Sequence, residues 1–419
     1  MPDAVVVGAG VAGLCCARGL HEAGLDVLVL ERSDGPGGRV RTDEVDGFLL
    51  DRGFQVLLTA YPEARRVLDY ERLGLRPFES GALIRRDGRF ARLADPFRHP
   101  VRALESLREG PGGPADKLRV ARLRRRLSRG SLNEILTAPH VTTAEALRRE
   151  GFSSDFVDAF FRPFLGGIFL DPRLETSSRL FALVFKFFAE GEATLPAGGM
   201  QAIPRQLVEG LPKAALRLDA TVEAAAPGRL VLAGGEHIEA DAVIVAADGP
   251  EAARLTGVLE APAPHGVTTL QYAAERSPVG EPVRVLNGET EGPVNDLCVP
   301  SDVAPSYAPP GAALVSATVL GVPALDDVAL DRAVRDQLHG WFGAQVDDWR
   351  LLRALRIPFA LPAQPPAVLS PAGRPVRLRD GLFVCGDHRD TASLQGAMVS
   401  GRRAAAAVRG LDAAPACAV

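Results

Sequence analysis

Short, wholly apolar runs open and close this chain. Ala4-Val5-Val6-Val7 has the pattern of a strand buried on both faces, and Val27 to Leu30 repeats it. Between them, Leu14 to Ala23 has helical character. Near the far end Leu382-Phe383-Val384 is apolar again, ahead of a small-residue helix opening at Ser393. Leu218 to Glu223 and Ala240 to Ala247 read as further strands, preceded by a helix entered through Gly198-Gly199-Met200 and Pro204. Apolar strands alternating with helices predict an α/β class. Two long stretches follow other rules. Residues 56–190 are largely helical by periodicity, whereas residues 262–372, with runs such as Ala312 to Leu320 between Pro and Gly turns, read as a β-sheet.

Composition narrows the class without deciding the chemistry. With 419 residues, 47% hydrophobic and 24% charged, the chain can bury a full core, and two domains are expected. The net charge of −4 gives no reason to expect a nucleic-acid partner. Arg85 to Arg129 is strongly basic, and Arg119, Arg122 and Arg126, spaced by Leu118, Val120, Leu123 and Leu127, suggest a basic amphipathic helix. Such a helix is either a solvated face or a peripheral contact with anionic lipid. Cys15, Cys16, Cys298, Cys385 and Cys417 form neither a disulfide framework nor a metal-ligand pattern. A reducing, cytoplasmic setting is expected, and no metal. The start of the chain lacks the features of a signal peptide. The longest uncharged run, Val303 to Leu325, holds four prolines, so no membrane helix is expected.

The candidate chemistry sits at both ends. Gly8-Ala9-Gly10-Val11-Ala12-Gly13 follows the first strand directly and matches G-x-G-x-x-G. In that pattern Gly8 makes the tight turn, Gly10 lets backbone approach a pyrophosphate, and Gly13 allows close helix-on-strand packing. The helix start supplies unpaired N–H groups for the phosphate. Glu31, ending the second strand, is placed to accept hydrogen bonds from ribose hydroxyls. Arg32 to Thr42 then contains Gly37-Gly38-Arg39, where close backbone approach and a guanidinium suit a phosphate. At the far end, Cys385-Gly386-Asp387 leads to Ser393-Leu394-Gln395-Gly396-Ala397, a helix start with N–H donors.

Glu31 to Arg39 resembles the E-x6-G-G-R segment of the flavoprotein superfamily that includes amine oxidases, protoporphyrinogen oxidases and phytoene desaturases. Gly386 to Gly401 resembles its C-terminal flavin motif, and Gly198 to Pro204 its G-G-M-x-x-[IL]-P segment. The resemblance implies a discontinuous Rossmann-like FAD-binding domain (1–55, 191–261 and 373–419). An inserted mixed α+β substrate domain (56–190 and 262–372) is implied with it. It also implies non-covalent FAD held by Gly8, Gly10, Val11, Ala12, Gly13, Glu31, Arg32, Gly37, Gly38, Arg39, Val222, Ala246, Gly386, Asp387, Ser393, Leu394, Gln395 and Ala397. Val222 resembles the position whose backbone meets the adenine.

Several features depart from the amine-oxidase branch. Its members generally carry a lysine near flavin N5 from the sheet part, and this chain has only Lys117, Lys186 and Lys213. Ser393 stands where an aromatic of the substrate cage is usual. The pattern is therefore nearest to desaturase-like members. The expected activity is removal of hydride from a C–H bond of an apolar small molecule, with oxygen or a quinone reoxidising the flavin. An amine or amino-acid oxidase, a non-redox mutase and a flavin-binding protein without turnover are the alternatives. Nine phenylalanines between Phe156 and Phe188 are read either as helix core or as the wall of an apolar tunnel. His388 is expected in a solvent-facing loop, and no catalytic residue is assigned.

Overall fold

The computed structural model describes residues 1–94, 110–289 and 291–411. Part of the basic stretch Arg85 to Arg129 and the end of the chain with Cys417 lie outside the described residues. A six-stranded sheet runs in the order Leu216–Arg217, Val27–Leu30, Ala4–Val7, Ala242–Val245, Leu382–Val384, Arg377–Arg379. All neighbours are parallel except the last pair. Val5 and Val6 are fully buried because helices or a second sheet cover each face, which is why this strand reads as a continuous apolar run. The sheet draws on the start, middle and end of the chain.

Two helices lie side by side on one face, Val11–His21 and Leu394–Val408. Small residues allow it: a Cβ on Gly401 would stand 2.2 Å from the Ala12 carbonyl oxygen. Val222–Ala226, read as a strand from the sequence, is a strand but lies outside this sheet and packs against its other face. It forms a separate three-stranded antiparallel sheet with Arg229–Leu232 and His237–Glu239.

A seven-stranded sheet takes the order Arg350–Pro362, Pro264–Ala274, Ala313–Leu320, Val294–Cys298, Arg284–Asn287, Gly81–Arg86, Arg89–Ala94. Its last two strands correct the helical reading of 56–190. They form a hairpin around Asp87 and Gly88, both at positive φ, and its first strand, Gly81–Arg86, pairs with Arg284–Asn287. The remainder of that stretch is mostly helical, including Pro114–Arg129, Arg162–Phe169 and Ser178–Glu190. The region read as pure sheet also holds a helix, Asp327–Phe342, which covers the sheet's outer face.

The phenylalanines pack mainly against one another. Phe156 and Phe161 are fully buried with ring centroids 5.4 Å apart, and Phe161 meets Phe181 at 6.1 Å. This is helix core, and the tunnel-wall alternative finds support only at its edge, where Phe164 reaches the seven-stranded sheet.

Candidate cofactor site

The glycine loop is built by close contact. A Cβ on Gly13 would lie 2.0 Å from the Gly8 carbonyl oxygen, so the helix cannot approach its strand with any side chain there. Ala246 packs behind the loop, 3.0 Å from that same position, and its N–H donates to the Val7 carbonyl. Gly10 caps the helix, and nothing lies within 4 Å of where its Cβ would be. The first N–H groups of the helix, on Val11, Ala12 and Gly13, have no partner within the helix and are directed to its N-terminal end. Glu31 is buried at the end of its strand: Oε2 accepts from the Ala9 N–H at 2.8 Å, and Oε1 from Ser33. The Ala220 N–H donates to the Glu31 carbonyl, which sets Val222 two residues away from the acid. Arg32 is exposed.

Gly37 pairs with the loop, its N–H donating to the Ala9 carbonyl at 2.8 Å, and Gly38 lies against Gly10. The next residue joins the two ends of the chain. Arg39 Nη2 donates to Asp387 Oδ1 at 2.8 Å, and its Nη1 donates to the Ala360 carbonyl at 2.7 Å. Motifs some 350 residues apart thus meet at one ion pair beside the open face of Gly10.

A family model described as flavin containing amine oxidoreductase matches residues 11–409. The chain belongs to the flavin-containing amine oxidoreductase family. Among similar proteins is a phytoene dehydrogenase from Streptomyces griseus, 29% identical over 291 residues, 60% of this chain and 55% of that protein. Another is protoporphyrinogen oxidase 2, chloroplastic/mitochondrial, from Arabidopsis thaliana, 28% identical over 162 residues, 39% of this chain and 31% of that protein. The matched stretches thus span about half or less of these relatives' own lengths. A solved putrescine oxidase bound to putrescine has the same fold, with a TM-score of 0.72 at 19% identity over 98% of this chain and 99% of that one. A reduced UDP-galactopyranose mutase gives 0.71 at 17% identity, over 98% and 96%.

The residues present fit FAD. The unfilled space at Gly10 and the helix N-terminus suit the pyrophosphate, and Glu31 stands at the ribose position of such folds. At the other end the Ser393 Oγ caps the last helix by accepting from the Gly396 N–H at 3.0 Å. The N–H groups of Leu394 and Gln395 are left for a ligand, with Ala397 one turn behind. The Gln395 side chain itself turns away and accepts from the Glu63 N–H. Cys385 is fully buried beside Cys16, whose thiol this neighbour and burial push well above its ordinary pKa.

His388 is not solvent-facing as its loop position suggests. It is 6% exposed, and neither ring nitrogen has a hydrogen-bond partner. Its ring folds back over Gly386, 2.5 Å from where a Cβ would sit. Burial pushes its pKa down to about 4, so it is neutral at pH 7. Other residues here carry no single-sequence signal. Gln364 ties the loop by donating to the Asp390 carbonyl and accepting from the Ala392 N–H, and Ser400 Oγ accepts from the Gly386 N–H. Asp390 is pushed up to about 6 by burial, against the opposing effect of Arg403. Asp51 is also raised to about 6 by burial, although it accepts from Thr42, the Met200 N–H and Tyr307. Its own carbonyl accepts from Gln271 on the seven-stranded sheet, so the segment after Arg39 runs from the cofactor site to that sheet's inner face.

Proposed function

We propose that this chain removes a hydride from a C–H bond of a largely apolar small molecule, in the manner of a desaturase or oxidase, at the inner face of the seven-stranded sheet. When bound, FAD supplies the hydride acceptor, and oxygen or a quinone restores it. The observation carrying this reading is the chemistry of that face. Its central strands present Thr269, Gln271, Ser316 and Thr318, while Lys117, Lys186 and Lys213 all lie outside the sheet. Lys186 is held 2.6 Å from Glu190 in a helix. The carboxylate on that face, Asp296, is matched by Arg284 at 2.7 Å, and no lysine stands there to act as a general base on an ammonium substrate.

The chain's own contribution is orientation and exclusion of water. Arg39 and Asp387 would brace the cofactor between the two motifs. The last helix would direct its N–H groups and positive dipole end at the flavin, where negative charge develops. His388, uncharged, offers one donor and one acceptor in a buried position beside Gly386.

Anaerobic addition of candidate substrates should bleach the flavin absorbance with C–H donors and not with primary amines. Bleaching by amines, with peroxide released on admitting oxygen, would reverse the assignment in favour of an amine oxidase.

A further inference from the structure

The seven-stranded sheet has two unlike faces. Outward, Leu270, Tyr272 and Val315 pack with Leu330, Val334 and Leu338 of the helix Asp327–Phe342. Inward, Thr269 stands opposite Thr318, and Thr318 opposite Asp296, one row across three adjacent strands. One step along, Gln271 stands opposite Ser316. Arg284 lies two residues before Leu286, the partner of Asp296, so strand alternation places it on this face too.

These residues are withdrawn from solvent, yet many of their polar atoms are unpaired. Thr269 Oγ1, Thr318 Oγ1, Gln271 Oε1, Arg284 Nε and Arg284 Nη2 have no hydrogen-bond partner among the described residues. Arg284 Nη2 lies 2.7 Å from Asp296 Oδ1, but as a contact of opposite charges without an aligned hydrogen bond. Phe54 and Phe164 flank the guanidinium at 4.9 and 6.0 Å. A narrow cavity of about 10 Å³ reaches Gln271 and Ser316 from the side of Asp51 and Phe54. Buried polar groups are nearly always bonded, so a contiguous set of unpaired ones with aromatic borders calls for a partner, such as a polar group of a ligand.

We propose that this inner face binds a hydroxyl group of the substrate, so that the molecule oxidised is a hydroxylated, mainly apolar compound rather than a plain hydrocarbon. Arg284 leaves donors open, Gln271 and Asp296 leave acceptors, and the threonine hydroxyls can play either part. A hydroxyl both gives and takes, and satisfies both kinds. A carboxylate would find the Arg284 charge already matched by Asp296. This specificity rests on the reading that substrate meets FAD at this face.

Titrating the FAD-loaded protein with phenol, toluene and benzoate, while recording the flavin absorption band, tests it. Phenol should bind about tenfold tighter than toluene, the scale of one well-placed buried hydrogen bond. Benzoate should bind no tighter than phenol. In the Thr269→Val/Thr318→Val double variant, which keeps shape and drops both hydroxyls, the phenol preference should vanish while toluene affinity and flavin content stay as in the wild type. Toluene binding as tightly as phenol, benzoate binding tighter, or no probe binding by either the flavin band or calorimetry would each overturn the proposal. Calorimetry with phenol separates this from the underlying reading. Hydroxyl-dependent binding that the double variant loses, with the flavin band unmoved, keeps a hydroxyl site but overturns its place beside the flavin.

Discussion

Gly10 and Gly13 sit three residues apart in one motif and should fail in different ways. Gly10 has ordinary extended backbone angles and open space where a Cβ would be, so Gly10→Ala should keep stability within about 0.5 kcal/mol of wild type. It should weaken FAD binding about tenfold or more, measured by flavin fluorescence, because the methyl occupies the phosphate approach. Gly13→Ala meets the Gly8 carbonyl and should lose stability and flavin together. Both roles are legible in sequence because the G-x-G-x-x-G spacing encodes them. His388 was not legible: a histidine after Gly-Asp looks like a loop residue until the last helix and Gln364 close over it. Its depressed pKa makes a contribution to stability that is complete above about 6.5 and is lost as the pH falls towards 4. His388→Gln should therefore shrink the loss of unfolding free energy between pH 7 and pH 5 by about 2 kcal/mol, measured by guanidinium titration at both values. Asp51, raised to about 6, acts in the opposite sense, since its contribution is complete below the ordinary carboxylate range and is lost as the pH rises through 6. It would mask part of the histidine effect in the wild type and not in the difference between variants.

Elements that bury both faces announced themselves, and those whose partners are remote did not. Ala4–Val7, Val27–Leu30 and Leu382–Val384 are apolar throughout because they are interior strands. The hairpin Gly81–Ala94 was hidden because its arginines break the alternation. Arg85 lies over Phe90, and Arg92 pairs with Glu281 from the distant sheet segment. Its Asp87-Gly88 turn was the available signal. For the phenylalanine segment, sequence could not choose between core and tunnel, since both need apolar rings at helical spacing and only the partners across the gap decide. The first and last helices test the same idea by packing. Gly401→Ala forces a methyl onto the Ala12 carbonyl and should cost about 1–3 kcal/mol as overpacking, read as a lower thermal midpoint in the FAD-free protein.

At the scale of the whole molecule, the cofactor site exists only where distant parts of the chain converge. Arg39 and Asp387 join the two motifs, so Arg39→Gln should loosen FAD without unfolding the six-stranded sheet, whose strands it does not touch. Equilibrium dialysis against free FAD would show it. That sheet also sets an order on the making of the protein. Ala4–Val7 leaves the ribosome long before Leu382–Val384 and the helix after it. Until they arrive, Ala242–Val245 presents a free, wholly apolar edge, the kind of surface on which chains stack into aggregates. A nonsense codon after Arg379 should thus yield insoluble protein rather than a soluble flavin-free one, and the cell carries that exposed edge in each molecule from the synthesis of Val245 to that of Val384.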